Sequence, residues 1–148
     1  KAFGLNLIIN YGAGKNVPIH IAEQEIDSSK GDRVSNKYLG ELTKLPTLET
    51  QGDGIKSFVG ILLNAFIGYY SVLLIDESEA FLHPPQARLL GKMLVKDLPS
   101  EKQLFLATHS EDFLKGLLDS NIERLKILRI QREGNINHIS ELNSEDIK

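Results

Sequence analysis

Two carboxylates stand side by side at Asp76 and Glu77, directly after the apolar run Val72-Leu73-Leu74-Ile75. A continuous apolar β-type run reads as a strand in the middle of a parallel sheet, and the carboxyl end of such a strand is where open α/β sheets bind ligands. There Asp76 can hold Mg²⁺ through water, while Glu77 can accept a proton from a water attacking a γ-phosphate. Acidic residues also occur wherever a strand runs into a surface loop, so the pair alone leaves both readings open. A second β-type run, Leu104-Phe105-Leu106-Ala107-Thr108, ends in His109-Ser110, which puts His109 32 positions after Glu77. If the two strands are parallel neighbours, the histidine emerges at the same sheet edge. It can then donate to a γ-phosphate oxygen, and Thr108 or Ser110 could add a hydroxyl. The plainer reading, a histidine that caps the next helix, competes with Ser110, which already suits that role. A third feature is Gly52-Asp53-Gly54, at the start of an apolar helix. Glycines there leave backbone N–H groups free to approach a phosphate, or form an ordinary turn before a core helix.

The elements that must hold these residues are legible from periodicity. Ile55 to Tyr69 reads as an apolar helix buried on most of its circumference, and Ser71 to Ile75 as the first strand. A helix follows over Pro85 to Val95, with Ala87, Leu89, Leu90, Met93 and Leu94 at helical spacing and a proline suited to its first turn. Then come a strand over Leu104 to Ala107 and a short helix capped by Ser110, so that the centre of the chain is β–α–β with parallel strands. Alternating apolar residues predict a hairpin from Phe3 to Ile21 around Gly12-Ala13-Gly14-Lys15-Asn16, and another from Lys126 to Ile139 around Glu133-Gly134-Asn135. Asp27 to Lys37 is polar and aperiodic, and predicts an exposed loop.

The 148 residues suffice for one domain with an apolar core. A formal charge of −3, with both signs interspersed and no basic run, disfavours dedicated nucleic-acid binding by this stretch. With no cysteine, a disulfide framework and a thiolate zinc site are excluded, which suits a reducing cytoplasm. His20 and His138 fall on hairpin strands, His83 precedes a proline, and no His-Glu-x-x-His occurs, so a zinc hydrolase is not expected. The apolar stretches fall short of a bilayer span, and no membrane partner is expected. The opening Lys1-Ala2-Phe3-Gly4-Leu5 has neither an initiating Met nor a signal-peptide pattern, and points to a chain cut from a longer one.

Taken together, Val72 to Pro84, Leu104 to Ser110 and Gln51-Gly52-Asp53-Gly54-Ile55 resemble, in order and spacing, the ATPase heads of the ABC superfamily, in the branch of RecF-like, SMC-like and OLD-family AAA-type ATPases. The resemblance runs from about Thr50 to Leu118 and more loosely over both hairpins. It implies an α/β fold, a partial P-loop NTPase domain with a parallel sheet core, helices and flanking β-hairpins. The expected layout is a single domain over 1–148: a hairpin over 1–26, the signature, Walker B and switch-histidine core over 50–118, and a hairpin and tail over 124–148. It also implies roles. Asp76 would bind Mg²⁺, Glu77 would be the general base, and His109 would contact the γ-phosphate. The Gly52-Asp53-Gly54 turn would reach ATP held by the opposite subunit of a head-to-tail homodimer, and nucleic acid would meet other parts of the parent. Two departures matter. Gly52 stands where the signature motif usually has Ser, which removes a hydroxyl and supports the rival reading of a nucleotide-degenerate binding or scaffolding module; the other alternative is the ATPase subunit of a nucleic-acid-processing or phage-defence nuclease. Gly12-Ala13-Gly14-Lys15 is not a phosphate-binding loop, since Ile9 and Asn16 occupy the positions of the required Gly and Ser/Thr. Such heads carry that loop far upstream, so this stretch alone is expected to bind nucleotide poorly. Glu79 either orients Glu77 and its water or is an exposed acid beside the site.

Overall fold

The computed structural model describes residues 3–24, 26, 32–119 and 124–142. Within them the chain runs β1 (Asn6–Ile9), β2 (Ile19–Ala22), α1 (Asn36–Leu42), a 3₁₀ turn (Leu48–Thr50), α2 (Asp53–Phe66), β3 (Val72–Asp76), α3 (Pro84–Asp97), β4 (Gln103–Ala107), α4 (Glu111–Leu118), β5 (Ile127–Glu133) and β6 (Ile136–Leu142). β1 pairs antiparallel with β2, β3 parallel with β4, and β5 antiparallel with β6. The expected α/β plan of a parallel centre between two hairpins is therefore present. Its tail, residues 143–148, lies outside the described residues.

α2 starts at Gly52, whose extended backbone (φ −64°, ψ 157°) makes it the N-cap, and Asp53 in the first turn suits the positive end of the helix dipole. At its other end the Lys102 ammonium donates to the Gly68 carbonyl at 2.6 Å, a cation on the carbonyl-rich end. α3 opens with Pro84 and Pro85 in its first turn, and the Gln86 side chain accepts from the His83 N–H at 3.0 Å. Ser110 caps α4 as expected, its hydroxyl accepting from the Phe113 N–H at 3.3 Å.

Phe58, Ala65, Ala87, Leu90, Leu94, Phe113 and Leu117 form the core, where α2, α3 and α4 meet one face of the β3–β4 pair. Leu90, Leu94 and Phe113 are fully buried, each contributing about 1.5–3 kcal/mol of transfer free energy. α3 and α4 touch backbone to backbone: a Cβ on Gly116 would lie 2.0 Å from the Arg88 carbonyl oxygen, and one on Gly91 would lie 2.6 Å from that of Phe113. The Arg88 guanidinium closes this contact with two bonds to the Asp119 carboxylate, at 2.8 and 3.0 Å.

Three expectations change. Asn36 and Lys37 belong not to a loop but to α1, which Ser35 caps by accepting from the Tyr38 N–H. Residues 27–31 of the expected loop lie outside the described residues. α2 is half-buried around most of its surface rather than enclosed, with only Phe58, Val59 and Ala65 inaccessible. β3 was expected mid-sheet, yet among the described residues β4 is its one partner, and Leu74 on its outer face is 79% exposed.

Candidate functional site

The parallel register pairs Asp76 with Ala107, so β3 and β4 end level. The ladder extends one step further, the Glu77 N–H donating to the Ala107 carbonyl at 3.0 Å. That pairing brings the two following residues together: Glu77 Oε1 lies 3.5 Å from His109 Nδ1, with both side chains largely open to solvent. Of the residues singled out from the sequence, Asp76, Glu77 and His109 thus share one end of the parallel pair. A shallow depression of about 300 Å³, lined by Leu74, Ile75, Asp76, Phe105, Leu106 and Ala107, opens beside them.

Glu77 holds a left-handed backbone (φ 47°), the one non-glycine residue to do so among those described. Such a conformation costs about 1–2 kcal/mol for an L-residue and persists where surrounding structure imposes it. Here the imposing bonds are visible. Glu77 N–H is held by Ala107, and Glu77's own carbonyl accepts from the Ala80 N–H at 3.0 Å, closing a tight turn directly after the strand. The turn swings the Glu77 side chain away from the strand direction and toward the exit of β4.

The glycine turn meets this segment indirectly. A Cβ on Gly54 would lie 2.6 Å from the carbonyl oxygen of Phe81, so the start of α2 and the turn after Glu77 approach to a distance that only glycine allows. Gly52 faces open space, and Asp53 pairs with Lys56 at 2.8 Å. Helix geometry leaves the Asp53 and Gly54 N–H groups without intrahelical acceptors, while the Ile55 and Lys56 N–H groups donate to the Gly52 carbonyl. Gly54 thus has a packing reason independent of any ligand.

The tempting Gly12–Lys15 stretch connects β1 to β2 and opens no helix, in keeping with its rejection as a phosphate loop. Two expectations around the site are corrected. Glu79 is not an exposed acid: it is 7% accessible, and its carboxylate accepts from the Thr108 hydroxyl and, at 3.2 Å, from the Ser78 hydroxyl. Thr108 does not stand free to donate to a phosphate, because its hydroxyl proton goes to Glu79, whereas Ser110 accepts from the Phe113 N–H as the α4 cap and keeps its own proton. The signal missed was positional, since Ser78-Glu79 and Thr108-Ser110 flank the two reactive residues in sequence and so meet wherever those residues meet.

Among the described residues no group of three or more His, Asp or Glu could hold a metal ion, and no helix is long and apolar enough to cross a membrane. The fold defines the class. A solved structure from work on the ATP-driven dimerization and DNA-stimulated activation of SMC ATPases superposes with a TM-score of 0.59 over 98% of this chain and 81% of that one, at 13% identity. The chain therefore shares its fold with that P-loop NTPase domain. Residues 19–114 match the AAA_21 family, described as "AAA domain, putative AbiEii toxin, Type IV TA system", and the chain belongs to that family. An uncharacterised protein of Methanocaldococcus jannaschii is 39% identical over 69 residues, which is 46% of this chain and 60% of that protein.

Proposed function

We propose that this chain is the part of an ATP-hydrolysing head that supplies the general base and the γ-phosphate contact, converting ATP and water to ADP and phosphate. The phosphate-binding loop comes from outside these residues. The observation that carries the reading is the approach of Glu77 to His109 at the level ends of β3 and β4, with Glu77 held in a left-handed turn.

Asp76, exposed at the end of β3, fits Mg²⁺ as one carboxylate in a shell completed by water and phosphate oxygens, the shell this ion prefers. Among the described residues no cluster of three ligands would hold the ion, so Asp76 would share it with the nucleotide, where Mg²⁺ would supply charge to offset the phosphates. Glu77, its side chain open to solvent, accepts the proton of the attacking water. His109, its Nδ1 3.5 Å from that carboxylate, contacts a γ-phosphate oxygen through a ring N–H. The start of α2 with Gly52, Asp53 and Gly54 serves ATP on the opposite subunit of a head-to-tail dimer, through its backbone and helix end alone. The likeness to an SMC ATPase studied for ATP-driven dimerization and DNA-stimulated activation supports a dimer and a nucleic-acid partner engaged elsewhere in the protein. A cytoplasmic setting fits the absence of cysteine.

The test is Mg²⁺-dependent ATP hydrolysis by the full-length protein, wild type against Glu77→Gln. Glu77→Gln should bind ATP and hydrolyse it about 10²–10⁴-fold more slowly. Gly52 in place of the signature serine is what supports the scaffold reading. That reading takes over if the wild type binds no nucleotide, or if Glu77→Gln turns over at the wild-type rate.

A further inference from the structure

Buried carboxylates are costly unless their oxygens are hydrogen-bonded or paired with a cation. Glu79 is almost fully buried, and among the described residues its carboxylate draws on two hydroxyls, Thr108 at Oε1 and Ser78 at Oε2. Thr108 Oγ1 in turn accepts from the Ser110 N–H at 3.0 Å, so its one proton is committed to Glu79. The chain of bonds runs from the α4 cap, past His109, to the turn that follows Glu77. His109 and Glu77 themselves are exposed by 81% and 57% of their side chains and meet only at 3.5 Å, too long to fix either. What holds them in register lies one residue to either side, inside the protein.

We infer that Glu79 is a positioning residue which, through Thr108, clamps the loop after β4 to the turn after β3 and so sets His109 against Glu77. Glutamate rather than aspartate suits the role because the carboxylate must reach from one loop to the other. Threonine suits it because one hydroxyl must accept from Ser110 and donate to Glu79 together. The inference rests on the ATPase reading for its catalytic consequence, but the clamp itself can be read without ATP.

The test uses the full-length protein with Thr108→Val, Thr108→Ser, Glu79→Gln and the Glu79→Gln/Thr108→Val pair. Valine keeps the shape of threonine and removes the hydroxyl, orphaning Glu79 Oε1 and the Ser110 N–H. The expected result is a kcat about tenfold or more below wild type, with KM for Mg-ATP within about twofold, as for a group that shapes the transition state and not binding. Thr108→Ser should return kcat to within about threefold of wild type, and the double variant should lose little beyond the worse single one. Hydrogen exchange of the Ser110 amide, followed by NMR, should speed up about tenfold in Thr108→Val and stay as wild type in Thr108→Ser. Unchanged exchange in Thr108→Val overturns the clamp. Wild-type kcat in that variant, or losses that multiply in the double variant, overturns its positioning role. If the wild type hydrolyses no ATP while Ser110 exchange still responds to valine and not to serine, the ATPase reading fails and the clamp stands.

Discussion

Replacing Gly54 by alanine tests whether the start of α2 and the turn after Glu77 form one packed unit. The new Cβ would lie 2.6 Å from the Phe81 carbonyl oxygen, 3.6 Å from its carbon and 3.7 Å from Leu82 Cδ2. Carbon–oxygen contacts settle near 3.3–3.6 Å, so the two backbones must part by about 0.7 Å or more. Overpacking of this kind costs about 1–3 kcal/mol, against which alanine's helix propensity returns about 1 kcal/mol. Gly60→Ala, in the same helix and with open space at its Cβ, gains the propensity without the clash. The two variants should therefore differ by about 1–3 kcal/mol, or about 3–10 °C in melting midpoint at this chain length, with Gly60→Ala the more stable. Urea unfolding of both proteins measures the difference. Because the Ala80 and Leu82 N–H groups are bonded to the Glu77 and Glu79 carbonyls, the turn moves as a unit, and displacing Phe81 displaces Glu77. In the full-length protein Gly54→Ala should thus slow hydrolysis by up to about 10²-fold. Equal unfolding midpoints for Gly54→Ala and Gly60→Ala would refute the close approach and everything built on it.

Glu77→Gly should abolish hydrolysis yet leave the protein as stable or about 0.5–1 kcal/mol more stable in urea, since glycine relieves the left-handed backbone; a clear loss of stability shows that Glu77 carries no strain. Arg88 holds the Asp119 carboxyl below its ordinary value of 3.8. A carboxyl depressed on folding stabilises the protein above its unfolded-state pKa, and that contribution is lost as pH falls through the folded-state value. Asp119→Asn should therefore unfold at lower urea than wild type at pH 7, with the gap closing below about pH 4 and narrowing in high salt. A gap independent of pH removes the ion pair as its cause.

The parts of this fold that a single chain segment determines could be read in advance. The apolar run into Asp76-Glu77, the serine cap before α4 and the glycine-turned hairpin at Gly134 each depend on neighbours in sequence, and each is present. α1 escaped because its seven residues carry little periodicity and its start looks like turn chemistry. β3 escaped differently: its apolar composition reports burial on both sides, which the described residues provide on one side only. The two readings of Glu79 could not be separated in advance because a glutamate in a polar turn is exposed by default, and its partner Thr108 lies 29 residues away. The close approach of Gly54 to Phe81 was not legible either, because it depends on two segments meeting in space.

The glycine contact between α3 and α4 limits how the domain can respond to a ligand. α3 leaves the turn that carries Glu77, and α4 leaves the loop that carries His109. With Gly116 seated on the Arg88 backbone and Arg88 tied to Asp119, neither helix can slide along the other without driving main chain into main chain. Shear between packed helices is one of the two common routes of domain motion, and here it is blocked. A push on His109 is therefore passed to both helices at once, and the pair can only swing as a single rigid lever about the strand ends.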